Sequence, residues 1–175
     1  MRAGDLTNAV ASFDEALKLD ATLEQARLNR GIALLRNGQT AKAIADLQAL
    51  ANDEHSLVRG DAAYHLALAL DRLGRTKEAE VWVERAMKLD NDLDAALLFA
   101  GMLRERRGDL QGAGRAYLSY LNAHPESAVA LLRFGVSAQK AGRIETAKSY
   151  LQRVVALAPK SAEAVEARKY LVMWE

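Results

Sequence analysis

The chain has 175 residues with a net charge of +1, and 34 alanines and 27 leucines fill more than a third of it. Both residues favour helices, while the strand-favouring Val, Ile and Thr number only 18, so an all-α protein is predicted and sandwiches, barrels and parallel-sheet enzymes are excluded. The lack of cysteine excludes thiolate chemistry, and the balanced charge gives no reason to expect nucleic-acid binding. The longest uncharged apolar runs have nine residues, whereas a membrane span needs about 20.

Glycines recur along the chain at spacings of 34, 36, 34 and 34 residues, at Gly4, Gly38, Gly74, Gly108 and Gly142. Each is followed five residues later by an alanine, at Ala9, Ala43, Ala79, Ala113 and Ala147. The last four of these glycines are preceded, seven residues earlier, by a small residue, at Gly31, Ala67, Gly101 and Gly135. The pattern predicts two helices joined by a glycine turn, repeated about every 34 residues, with small side chains where the helices cross.

The register of this repeat divides the chain into six segments. Residues 1–23 form a half repeat that holds only a second helix, about Leu6–Leu19, so we expect its missing first helix to precede residue 1 or to come from another chain. Four full repeats are predicted, at 24–59, 60–93, 94–127 and 128–161. Residues 162–175 form a C-terminal capping helix, with Ser161 as its N-cap.

These columns, together with Pro125 and Pro159 at two repeat ends, resemble the tetratricopeptide repeat (TPR) over essentially the whole chain. The resemblance implies an all-α fold, a right-handed superhelix (α-solenoid) of helix–turn–helix repeats whose concave face binds peptides or partner proteins. Two features depart from the family pattern. The aromatic residue usual early in the first helix is absent, and two repeats end without proline, at His55 and Asn91.

The single 36-residue step points to a narrower resemblance, to the TPR lipoproteins (pilotins) that assist type IV pilus assembly at the bacterial outer membrane. Three segments resemble theirs in order and spacing: ALANDEHSLVRGDAAYHLALALDRLGR, LRERRGDLQGAGRAYLSYL and FGVSAQKAGRIETAKSYLQRVVALAP. The resemblance implies that the protein helps the outer-membrane secretin to reach its place or to form its multimer, or that it stabilises the pilus. Its location would then be the periplasm or the outer membrane; without a pilus role we expect a cytoplasmic protein. The lipid-attachment cysteine of that group is absent from this sequence.

The TPR resemblance also implies a binding surface, at the second, fifth, ninth and twelfth positions of each first helix. The fifth and ninth positions are apolar here, and we call them the groove residues: Leu28, Ile32, Tyr64, Leu68, Leu98, Met102, Leu132 and Val136. An exposed apolar stripe marks an interaction site, so we predict that it binds a partner peptide or helix, the alternative being that some members are core. The Lys and Asn of the family's carboxylate clamp are replaced by Leu28, Ile32 and His65, so that clamp is not predicted.

No residue pattern points to catalysis or to a cofactor. The three histidines have no metal-ligand spacing, and the glycines at 108–114 follow no strand, so no catalytic, metal-binding or cofactor-binding residue is predicted. A basic group at Arg104, Arg106, Arg107 and Arg115 indicates either an acidic or lipid partner or a solvated surface. We therefore predict a non-enzymatic scaffold for a protein partner. The alternatives are a structural protein that self-associates through the N-terminal half repeat or the groove, and a regulatory TPR module of a larger enzyme.

Overall fold

The computed structural model describes residues 3–90 and 93–174, and over these residues the chain forms ten α-helices and no strand. The helices are α1 (Ala3–Leu19), α2 (Glu24–Arg36), α3 (Thr40–Asn52), α4 (Arg59–Arg72), α5 (Thr76–Leu89), α6 (Asp94–Arg107), α7 (Leu110–Ala123), α8 (Ala128–Lys140), α9 (Ile144–Leu157) and α10 (Ala162–Leu171). A 3₁₀ turn, Val172–Trp174, follows α10. Within the described ranges, no helix is both long and apolar enough to cross a membrane.

The predicted turn glycines adopt the left-handed conformation at four of the five positions. Their φ angles lie between 74° and 86°, at Gly38, Gly74, Gly108 and Gly142. The prediction is wrong for Gly4, which lies inside α1, and the helix begins at Ala3 rather than near Leu6. Gly4 therefore continues the helix and does not adopt the positive φ of the four turn glycines.

Helix ends follow the predicted signals. Ser161 is the N-cap of α10, and its Oγ accepts a hydrogen bond from the backbone N–H of Ala164 at 3.1 Å, as expected. The helices α7 and α9 each end two residues before a proline, Pro125 and Pro159. Caps, turn glycines and prolines close to each helix end therefore determine where the helix begins or ends. The repeat boundaries themselves stay a prediction.

The chain divides into two compact units, Met1–Ala96 and Leu97–Glu175, which we call unit 1 and unit 2. In each unit, paired helices meet where a glycine of the first helix faces a large residue of the second. A Cβ atom on Gly31 would lie 2.9 Å from the Leu47 side chain, and one on Gly135 would lie 2.9 Å from Leu151. Both leucines are fully buried, so the small residues provide the space into which the core side chains pack.

Candidate partner-binding surfaces

In unit 1 the groove residues lie on α2 and α4. Leu28 is buried, with 3% of its surface exposed, whereas Ile32, Tyr64 and Leu68 are partly exposed. The two helices are tied together because the Arg72 guanidinium on α4 donates a hydrogen bond to the backbone carbonyl of Leu35 on α2 at 2.5 Å. Unit 1 thus presents three partly exposed apolar side chains above a buried leucine.

The polar neighbour of these residues is a neutral histidine. The rings of Tyr64 and His65 lie 5.1 Å apart between centroids. Burial, with a smaller contribution from the nearby charge of Arg36, lowers the pKa of His65 to about 4. At neutral pH the imidazole therefore carries no charge and offers no cation to a ligand carboxylate.

In unit 2 the groove residues lie on α6 and α8 and are less exposed. Leu132 and Val136 are 7% and 6% exposed and belong to the hydrophobic core, while Leu98 and Met102 are partly buried against it. A cavity of about 160 Å³ lies beside Leu132 and Val136, closed on one side by α10. Leu132 and Val136 are therefore core residues, as is Leu28, which agrees with the alternative that some members of the stripe belong to the core.

The carboxylate of Glu105, at the edge of the unit 2 stripe, is bonded to side chains of other helices. The Glu105 side chain on α6 is only 7% exposed, accepts a hydrogen bond from Lys140 Nζ at 2.8 Å, and lies 3.8 Å from Arg133. It also accepts a hydrogen bond from the Tyr117 hydroxyl at 2.9 Å, in the space that Gly101 leaves for the tyrosine ring. Burial and the Glu105 charge raise the pKa of Tyr117. Glu105 therefore joins α6, α7 and α8 rather than facing a ligand.

The basic group predicted from the sequence divides into two parts. Arg107 on α6 lies 3.6 Å from the Asp109 carboxylate. Arg115 on α7 instead lines a cleft of about 260 Å³ in unit 2, which we call the arginine cleft. Its lining residues come from α7, from α8 and from the N-cap position before α9, and they are Gln111, Gly114, Arg115, Leu118, Phe134 and Arg143.

The sequence did not indicate that Arg115 and Arg143 line one cleft, because they are 28 residues apart and belong to different predicted repeats. A signal was nevertheless present in the repeat register. Gly114 occupies a position that holds a larger residue in every other repeat, namely Val10, Ile44, Glu80 and Lys148.

Paired helices, left-handed turn glycines and small residues at the crossings define a helix–turn–helix repeat protein of the all-α solenoid class. Two tetratricopeptide repeat profiles match the chain, one over residues 1–56 and 28–94 and the other over residues 129–161. The chain belongs to the tetratricopeptide repeat family, a family of protein-interaction scaffolds. The predicted family and fold class are thereby confirmed.

Known proteins resemble the chain over most of its length. Lipopolysaccharide assembly protein B of Escherichia coli strain K12 is 24% identical over 158 residues, which is 89% of this chain and 40% of that protein, so the chain spans less than half of this relative. The crystal structure of YrrB, a TPR protein with an unusual peptide-binding site, has 25% identity and a TM-score of 0.75, covering 95% of this chain and 84% of YrrB. The type IV pilus biogenesis factor PilW has 21% identity and a TM-score of 0.78, covering 87% and 70% of the two chains.

Proposed function

We propose that the chain is a non-enzymatic scaffold that binds a peptide or helix of a partner protein through the groove residues. The observation that carries the proposal is partial exposure of large apolar side chains on first helices, at Ile32, Tyr64, Leu68, Leu98 and Met102. Burying them against a partner would remove apolar surface from water, at about 25 cal/mol per Å². Leu28, Leu132 and Val136 lie in the core beneath and hold the helices in place.

The character of the stripe favours an apolar ligand. Tyrosine is enriched among the residues that dominate binding energy, and methionine adapts to irregular partners because its side chain is unbranched. Two polar groups beside the stripe offer no charge to a ligand: His65 is neutral because its pKa is lowered, and Glu105 is bonded to Tyr117 and Lys140. An internal apolar segment therefore fits the stripe better than a terminal carboxylate.

We further propose that the scaffold serves an assembly of the bacterial cell envelope, in the periplasm or at the outer membrane. The support is the sequence similarity to lipopolysaccharide assembly protein B and the shared fold of the pilus biogenesis factor PilW. The test is affinity capture from envelope extract with the full-length parent protein, followed by identification of the retained proteins. Retention of pilus or lipopolysaccharide-assembly components supports this role, and retention of cytoplasmic proteins alone contradicts it.

The groove is tested by placing a charge in each unit's stripe, with the variant Leu68→Glu, Met102→Glu. Both side chains are partly exposed, so the helices are expected to fold, which circular dichroism checks. Partner capture should fall at least about tenfold, since a carboxylate buried against an apolar partner has no counter-ion. The matched control, Val81→Glu with Leu157→Glu, introduces the same charges at exposed apolar positions outside the stripe.

Unchanged capture by the stripe variant would remove the groove as the binding site. Light scattering over a range of protein concentrations distinguishes the self-association alternative, because a homo-oligomer gains mass with concentration when no partner is added. A regulatory role within a larger enzyme would instead show as an activity of the full-length parent that changes in the stripe variant.

A further inference from the structure

The arginine cleft in unit 2 is a second candidate site, and it shares no residue with the stripe. Its floor is the buried Phe134 ring and the backbone at Gly114, and the exposed Leu118 lies at its edge. Sites for drug-sized molecules occupy roughly 300–1,000 Å³. At about 260 Å³ the cleft is smaller, a size that suits one or two side chains rather than a cofactor.

Gly114 keeps the cleft open without being required by the packing. A Cβ atom there would lie 3.4 Å from Phe134 and 3.7 Å from the Arg143 guanidinium, which are ordinary or slightly tight contacts. Glycine inside a helix costs about 1 kcal/mol relative to alanine. An alanine could therefore be accommodated and would favour the helix, yet the chain has glycine at this repeat alone, which points to the open space itself as the feature in use.

The two arginines at the rim have no counter-ion within residues 3–90 and 93–174. Arg75, which occupies the register position of Arg143 in an earlier repeat, bonds Glu78 through Nε and a terminal nitrogen, both at 2.7 Å. The position corresponding to Glu78 is Thr146 beside Arg143, so that carboxylate is missing. Arg115 likewise has no acidic residue three or four positions away on α7. The planar guanidinium fork matches a carboxylate, so both groups are available to an anion.

We propose that the arginine cleft binds an acidic side chain of a partner protein that stands next to an apolar side chain. The carboxylate would bind Arg115 and Arg143, and the apolar neighbour would cover Phe134 and Leu118. The apolar floor favours this ligand over inorganic phosphate, because a fully hydrated anion gains nothing from contact with an aromatic ring. The site is independent of the groove residues, so the proposal stands or falls separately from the proposed function.

The probe is the capped tetrapeptide acetyl-Gly-Leu-Glu-Gly-amide, titrated into the ¹⁵N-labelled full chain and followed by NMR. The backbone amides of Gly112 and Gly114 and the side-chain Nε–H groups of Arg115 and Arg143 report on the cleft. Three comparison ligands separate the contributions: the same peptide with Gln for Glu, the same peptide with Gly for Leu, and inorganic phosphate. We expect the Glu peptide to bind at least about tenfold more tightly than the Gln peptide, the order for losing a bond to a charged group.

Substitutions at three residues of the cleft test the proposal independently of one another. Arg115→Gln and Arg143→Gln should each weaken Glu-peptide binding about tenfold. Lys160→Gln, which removes an exposed positive charge of unit 2 outside the cleft, should leave binding unchanged. Gly114→Ile should abolish binding by filling the space, and Gly114→Ala gives a milder filling should the isoleucine variant not fold.

Three outcomes would overturn the proposal. Equal binding of the Glu and Gln peptides would exclude a carboxylate site, and indifference to both arginine variants would place the peptide elsewhere. Phosphate that binds as tightly as the Glu peptide would identify a simple anion site instead.

Discussion

The same three register positions, between a second helix and the next repeat, have opposite chemistry in one junction of unit 1 and in unit 2. At the first such junction of unit 1 they hold an ionic set, Asp14, Arg30 and Asp46, whereas the second junction of unit 1 holds Gln48, Leu66 and Trp82. In unit 2 they hold Leu118, Phe134 and Tyr150. The Arg30 guanidinium donates to Asp46 at 2.6 and 2.7 Å and to Asp14 at 2.8 Å. Phe134 instead meets Tyr150 edge to face, with ring centroids 4.5 Å apart.

The difference shows how a repeat position can change its chemistry while its backbone role stays the same. Both charges of Arg30's carboxylate partners come from the chain itself, and the hydrogen bonds to Asp46, followed by the one to Asp14, raise the pKa of Arg30. The aromatic set of unit 2 stabilises by apolar burial, which needs no counter-ion. It also places an apolar floor beside Arg115 and Arg143, whose charges nothing in the described residues neutralises. Unit 1 therefore has a closed ion network where unit 2 has a candidate ligand site.

The largest effect is expected from removing the aromatic floor. Phe134→Ala should lower the free energy of unfolding of unit 2 by about 3–5 kcal/mol, because it leaves a cavity in the core. Urea denaturation measures the loss, and hydrogen exchange locates it. Phe134→Leu is the matched control and should lose clearly less, since it keeps much of the volume. A loss below about 1 kcal/mol for the alanine variant would show that the ring is not a core residue.

The next effect tests the ionic set. Arg30→Met should destabilise unit 1 by about 2–3 kcal/mol, because it leaves the largely buried Asp46 carboxylate without its guanidinium. Transplanting the unit 2 residues, with Asp14→Leu, Arg30→Phe and Asp46→Tyr together, should recover most of this loss, since no charge remains unpaired. Urea midpoints of the two variants measure the difference. A triple variant no more stable than Arg30→Met would mean that the two sets are not interchangeable.

A pH effect of about 1–2 kcal/mol is expected in unit 1 from His65. The pKa of His65 is about 4 in the folded chain and near 6.5 in the unfolded chain. Between these pH values the unfolded state binds a proton at His65 that the folded state does not bind. Stability should therefore be lost as pH falls from about 6.5 towards 4. Urea midpoints at pH 7 and 4.5 measure this for the native chain and for His65→Gln. Equal losses in the two proteins would contradict the assignment.

The smallest effect concerns a hydroxyl in the unit 2 core. Ser137 Oγ is buried and has no hydrogen-bond partner among the described residues. Ser137→Ala should stabilise the chain by about 1 kcal/mol, because a buried unbonded hydroxyl is removed and alanine favours the helix. Thermal unfolding detects the gain. Ser127→Ala is the contrasting variant and should destabilise, since the Ser127 hydroxyl caps α8.

Much of the fold is readable from the sequence because its signals are local. A left-handed turn, a serine cap and a proline stop each act within a few residues, so Gly38, Ser161 and Pro125 mark helix ends by themselves. Gly4 shows the limit of that reading, since a glycine at the same register position lies inside α1 and makes no turn.

Which side chains are available to a partner was decided only by the tertiary structure. Leu28 and Leu98 both occupy the fifth position of a first helix, yet Leu28 is buried and Leu98 is partly exposed, because exposure depends on what the neighbouring helices cover. The same holds for charge: Arg75 and Arg143 share a register position, and only packing brings Arg143 to a cleft with Arg115. Local periodicity thus determined the helices and their pairing, while contacts between residues far apart in sequence decided which surfaces can bind.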